Sequence, residues 1–171
     1  LDAVPVIARH AGMKYVEIRT HGRKEEELSD LERGLSLLPV EGIVVGAIAS
    51  EYQNQRVTAI AENLGMKVFA PLWKQDPAVI VAEVAERLDA IIVVTAAEGL
   101  DESFLGTRFD SDLIGRLKAA AKKHRIHIAG EGGEYESLTL NAPFYGEPVT
   151  WRSSEIRRSP GRSELVLGGF A

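Results

Sequence analysis

Apolar positions along the chain recur at two periods, and the alternation between them predicts helices interleaved with strands. Val4, Ile7, Ala8 and Ala11 fall on one helical face, and Gly12 stops that helix. YVEI at 15–18 predicts a short strand. In KEEELSDLERGLSLL at 24–38, Leu28, Leu31, Leu35 and Leu38 recur at helical spacing behind an acidic first turn, which suits the positive end of the helix dipole. GIVVGAI at 42–48 is a continuous apolar run of strand length, the pattern of a strand buried on both faces. Val57, Ile60, Ala61 and Leu64 mark a helix ending at Gly65, and KVFAP at 67–71 reads as a strand. Asp76 and Pro77 supply an N-cap and a first-turn proline for a helix with Ile80, Val84 and Leu88 inward. AIIVV at 90–94 is a second buried strand. A helix from about 110 to 124 places Leu113, Leu117 and Ala120 inward, and IHIAG at 126–130 closes the series as a strand.

Strands separated by helices of this length imply an α/β fold, a parallel sheet with helices on both faces. After Gly130 the pattern changes. SLTLNAPF, EPVTWRSSEIRR and SELVLGG alternate apolar and polar residues around Pro and Gly turns, which predicts a small antiparallel β segment. The expected organisation is an α/β domain over 1–130, with an acidic glycine-rich loop and β segment over 131–171 packed on the same domain.

Composition narrows the chemistry. A chain of 171 residues is enough for a sizeable core. No run of eighteen apolar residues is present, so no membrane span is expected. The absence of cysteine excludes a disulfide framework and a thiolate site, and fits a cytoplasmic protein. A net charge of −5 makes general nucleic-acid binding unexpected. Motifs for a dinucleotide fold, a Walker phosphate loop or a hydrolase elbow do not occur. The four histidines lack the spacing of two ligands on one helical face, so no metal–histidine site is expected.

Three segments are candidates, because ligands of open parallel sheets bind beyond the carboxyl ends of the strands. In GAIASEYQNQR at 46–56, Gly46 and Ala47 let a ligand approach the backbone. Ser50 caps a helix, and Tyr52, Gln53 and Arg56 lie on its first turns, where anions are favoured. In GLDESFLGTRFD at 99–110, Asp101, Glu102 and Arg108 bring charge to a long loop. GEGGEYE at 130–136 interleaves three glycines with Glu131, Glu134 and Glu136. These acids would repel phosphate, so the loop, including Gly132 and Gly133, suits a cation. Tyr135 could add a cation–π face, or one carboxylate could serve as a general base. The bland counterparts are a small-residue turn, a loop with self-paired charges, and a glycine turn with solvated acids.

The chain resembles the diphthine–ammonia ligase family of N-type ATP pyrophosphatases, the PP-loop group. The resemblance runs through EEELSDL, GIVVGAIASEYQNQR, LGMKVFAPLW, GLDESFLGTRFD and above all AGEGGEYESLTLNAPF. It implies an adenine nucleotide α-hydrolase-like fold and an ATP-dependent amidation, with Mg²⁺ accompanying ATP. The implied substrate is the diphthine residue of translation elongation factor 2, with ammonium as the second partner. Gly46, Ala47, Ser50, Tyr52, Gln53 and Arg56 would line the nucleotide side. Glu131, Glu134 and Glu136 would bind the cations, one of them taking a proton. Gly132, Gly133, Tyr135, Asp101, Glu102 and Arg108 would contact substrate. A departure accompanies the match: the family's SGGKDS-like PP-loop does not occur in these 171 residues. The chain is therefore expected to lack the pyrophosphate grip and an N-terminal strand, leaving a sheet edge that self-association or a partner would cover. The alternatives are a PP-loop relative acting on another substrate and a non-catalytic binding domain.

Overall fold

The structure is a computed structural model that describes residues 3–20 and 26–171. His21 and the first two residues of the helix expected at 24–38 lie outside the described residues. Contacts divide the chain into two compact units, Val16–Gln75 on the one hand, and Leu1–Tyr15 with Asp76–Ala171 on the other. The composition change after Gly130 marks no such division: β4 (Tyr135–Asn141), which follows it, pairs with β3 (Asp89–Thr95), which precedes it.

The unit Val16–Gln75 holds helix α2 (Glu26–Ser36), strand β1 (Gly42–Val44), helix α3 (Glu51–Asn63) and strand β2 (Lys67–Phe69). The two strands pair in parallel, Gly42 opposite Lys67 and Val44 opposite Phe69, with α3 as the crossover. Gly42 is needed here, since a Cβ would lie 2.9 Å from the Lys67 carbonyl oxygen. α3 starts as its sequence predicts, with the Ser50 hydroxyl accepting the Gln53 N–H at 3.3 Å. It turns Ile60 and Ala61 inward. Two expectations change. Residues 15–18 form no strand, and the apolar run at 42–48 contributes only three strand residues. Nor is that strand buried on both faces, because Val44 is 72% exposed and Phe69 beside it 65%.

The other unit contains α1 (Ala3–His10), α4 (Pro77–Arg87), β3, a 3-10 turn (Glu102–Phe104), α5 (Ser111–His124), β4, β5 (Ser153–Ser159) and β6 (Arg162–Gly168). Its four-stranded sheet runs β4-β3-β6-β5, each neighbour antiparallel. β3 is the central apolar strand that the sequence predicts, and alternation sends its residues to two cores. Ala90 and Ile92 pack with Val81, Leu113 and Leu117 beneath α4 and α5. Ile91 packs with Leu138 and Leu140, and with Ala3 and Ile7 of α1. Its partners are nevertheless antiparallel and come from beyond Gly130, not from a continued parallel sheet. A run apolar on both faces reports double burial and is silent on strand direction.

α4 and α5 are capped by Asp76 and Asp110, whose carboxylates accept the N–H of Ala78 and Leu113, each at 2.8 Å. Residues 126–130 are not a strand. The carbonyls of His127 and Ile128, which a ladder would use, instead accept the Gly130 N–H at 2.9 Å and the Tyr135 hydroxyl at 2.8 Å. The architecture is thus α/β: a parallel pair with its helices, and an antiparallel sheet that includes the C-terminal strands.

Candidate active site

GEGGEYE forms a tight loop at the carboxyl end of β3, where the Ala96 N–H donates to the Glu134 carbonyl at 2.8 Å. One side chain organises it. The Glu134 carboxylate accepts the backbone N–H of His127 through Oε1 at 2.7 Å and that of Gly132 through Oε2 at 2.8 Å. The Gly133 N–H donates to the Gly130 carbonyl at 3.0 Å. Gly130 and Gly133 both take positive φ, 71° and 80°, a region that favours glycine. Gly130 meets a second demand: a Cβ there would lie 3.1 Å from the Tyr135 ring.

Tyr135 is the floor of the loop. Its ring is buried beside Phe109, 6.1 Å between centroids, and burial raises its pKa above the ordinary tyrosine value. A cation–π face presented outward, as the sequence allows, is not what this ring offers. Gly132 and Gly133 are exposed, and Glu131 is half-buried, its N–H donating to His127 Nδ1 at 3.4 Å. Glu136, the first outward residue of β4, accepts from Arg162 Nη2 at 2.9 Å.

The loop at 99–110 reaches the same neighbourhood through a hairpin. Arg158 of β5 grips Glu102 with two hydrogen bonds, 2.5 and 2.7 Å, and the guanidinium holds the Glu102 carboxyl below its ordinary pKa. The Arg162 guanidinium on β6 serves Glu136 and Glu164 together. The β5–β6 hairpin thus links two segments that the sequence singles out. Asp101 caps the 3-10 turn, accepting from the Ser103 hydroxyl at 2.5 Å and its N–H at 2.9 Å, and these bonds lower its pKa. Arg108 stands apart. It pairs with Asp89 at the opposite end of β3, where Trp151 helps line a cavity of about 310 Å³.

The segment 46–56 belongs to the other unit. Gly46 faces open space, Ala47 is buried, and Ser50 and Gln53 form the α3 cap. The Arg56 guanidinium lies 3.8 Å over the Tyr52 ring, a cation–π stack that presets both side chains.

His127, Arg158 and Arg162 escape the sequence-based selection. For the arginines a signal exists. Pro160-Gly161 is a turn dipeptide, and the tight hairpin it makes sets Arg158 opposite Ser163 and Arg162 opposite Ser159. Among the described residues, no three or more of His, Asp and Glu gather as a metal cage, and no helix is long and apolar enough to cross a membrane.

Comparison with known proteins bears on this arrangement. The diphthamide synthase N-terminal domain matches residues 1–68, and the diphthamide synthase C-terminal domain matches residues 76–159. The chain is 37% identical over 137 residues to the diphthine–ammonia ligase of Bos taurus, covering 77% of this chain and 51% of that protein. It is 34% identical over 161 residues to that of Rattus norvegicus, covering 90% and 60% respectively. With the ligase of Saccharomyces cerevisiae it shares 33% identity over 138 residues, 70% of this chain and 20% of the relative. The chain spans about half the length of the mammalian relatives it matches. Both domains of one family are matched in order along it, and the acidic loop lies inside the second match: the chain belongs to the diphthamide synthase family.

Proposed function

We propose that the intact protein is an ATP-dependent amide ligase converting the diphthine residue of translation elongation factor 2 to diphthamide in the cytoplasm. In this reading the diphthine carboxylate attacks the α-phosphorus of ATP, pyrophosphate leaves, and an acyl-adenylate forms. Ammonia then attacks the acyl carbon, AMP departs with the C–O bond electrons, and the surplus proton passes to a carboxylate. Mg²⁺ accompanies ATP as its counter-ion.

The acidic loop carries the proposal. Diphthine bears a quaternary ammonium beside its carboxylate, and ammonia arrives as ammonium, so both ligands need negative charge on a close-approach backbone. Glu131 and Glu136 supply the charge in this reading, and exposed Gly132 and Gly133 permit the approach. Glu134 is a positioning residue, because its carboxylate is committed to two backbone amides. Asp101 and Glu102 shape the adjoining wall, and Arg108, at the far end of β3, would meet a more distant part of the substrate. On the nucleotide side, open space at Gly46 fits a ligand against the backbone, with Ser50, Gln53 and the Tyr52–Arg56 stack at the start of α3.

The test uses the full-length protein with ATP, ammonium and diphthine-bearing elongation factor, following AMP release and amide formation separately. Glu131→Gln and Glu136→Gln should slow amide formation by about 100-fold or more for whichever carboxylate accepts the proton, and leave adenylation largely intact. Undiminished amidation in both variants would exclude the assigned roles.

A further inference from the structure

One groove in the unit built from Leu1–Tyr15 and Asp76–Ala171 lies outside the acidic loop and differs from it in charge. It is an open groove of about 620 Å³ between the loop after β3 and one flank of α5. Arg116, Ala119, Ala120, Lys123 and His124 line it from α5, at i, i+3, i+4, i+7 and i+8, one continuous helical stripe. Leu100 and Phe104 form an apolar floor, both almost wholly buried.

The cationic groups are held differently. The Arg116 guanidinium lies 3.9 Å above the Phe104 ring, and its Nη2 donates to Ser103 Oγ at 2.6 Å. That leaves other N–H donors of a preorganised fork for a ligand. Lys123 has no hydrogen-bond or ion-pair partner among the described residues and is exposed at the rim. Asp101, the acid lining the groove, accepts both the N–H and the hydroxyl of Ser103 and also attracts Arg116, while Lys123 has no such counter-charge among the described residues. His124 closes the far end, its Nδ1 3.4 Å from Glu98, and its ring lies so close to Gly99 that a Cβ there would overlap it. Positive residues in the last turn of a helix offset its dipole, and Lys122 serves that end equally well. The dipole accounts for neither the cavity nor the fixed fork of Arg116, two turns and about 10 Å upstream.

We infer that this groove binds an oxyanion, phosphate or carboxylate, through Arg116 and Lys123. The inference does not rest on the amidation proposed for the acidic loop.

The experiment titrates the 171-residue chain with inorganic phosphate and, separately, with succinate, following backbone amide shifts by NMR. Saturable shifts at Gly99–Phe104 and along α5 with either probe support the site, and the better probe identifies the oxyanion class. Lys123→Gln should weaken that binding at least ten-fold. It removes a side chain with no partner, so the fold is kept. Lys122→Gln, outside the groove, should leave the affinity unchanged. Arg116→Gln should weaken binding further while also loosening Ser103. No saturable binding of either probe, shifts confined to residues 46–56, or equal losses in Lys122→Gln and Lys123→Gln would each overturn the site.

Discussion

Glu134 Oε1 accepts the backbone N–H of His127 at 2.7 Å, and this bond ties the acidic loop to the segment that enters it. Hydrogen bonds to a charged acceptor contribute about 1.5–3 kcal/mol, and an amide left without a partner adds to the loss. Glu134→Ala should therefore destabilise this unit by about 2–3 kcal/mol in urea unfolding. Glu134→Gln, which keeps one oxygen acceptor, should lose less. Equal stability of Glu134→Ala and the parent chain would deny the carboxylate its clasping role.

The two loop glycines should separate under substitution. Gly133→Ala meets no atom within 4 Å and incurs only the strain of positive φ, about 1–2 kcal/mol. Gly130→Ala adds a methyl group crowding the Tyr135 ring to the same strain. Thermal unfolding should rank Gly130→Ala clearly below Gly133→Ala, and the reverse order would contradict the packing described.

Tyr135→Phe keeps the ring and removes the hydroxyl that donates to the Ile128 carbonyl, a loss of about 0.5–1.5 kcal/mol at neutral pH. The pH dependence follows from its raised pKa. The folded chain holds the phenolic proton more tightly than the unfolded chain, whose tyrosines titrate near 10. Stability from this group is complete below about pH 10 and falls as pH rises above it. Urea unfolding between pH 8 and 11 should therefore show a shallower alkaline decline in Tyr135→Phe than in the parent. Tyr145, also raised by burial, contributes a shared background. Parallel declines would show that the Tyr135 proton is not linked to folding.

Much of the architecture can be read along the chain where local chemistry is sufficient. The caps of α3 and α4 follow from Ser50 and from Asp76-Pro77, because capping uses neighbours within three residues. The double burial of β3 follows from AIIVV. Its antiparallel pairing does not, since Tyr135–Asn141 and Arg162–Gly168 reach it from tens of residues away. The same boundary runs through the candidate site. A glycine loop rich in acids is conspicuous, yet the choice between a carboxylate that binds a ligand and one that clasps its own backbone depends on where two amides fall. Glu134 looks like its neighbours in sequence and is set apart only by the N–H groups of His127 and Gly132. Residues 15–18 show the opposite failure: a short strand-like run that finds no partner strand among the described residues.

Leu117 is fully buried at the centre of the core beneath α5, packed with Ile92, Leu113 and Val81. Leu117→Ala should cost about 2–5 kcal/mol, the range for emptying a tightly packed leucine site. Chemical denaturation should show a lower midpoint with little change in slope.

α1 precedes the unit Val16–Gln75 in the chain but packs on β4 with the residues that follow it, and the His10 ring Nδ1 lies 2.8 Å from the Glu147 carbonyl oxygen. The smaller unit is therefore an insertion, entered near residue 15 and left near residue 76. A protease that cuts once at either crossing would nick the protein without releasing a fragment. Even after both cuts, the first fifteen residues should travel with 76–171, held by Ala3, Ile7 and the His10 latch in place of a peptide bond.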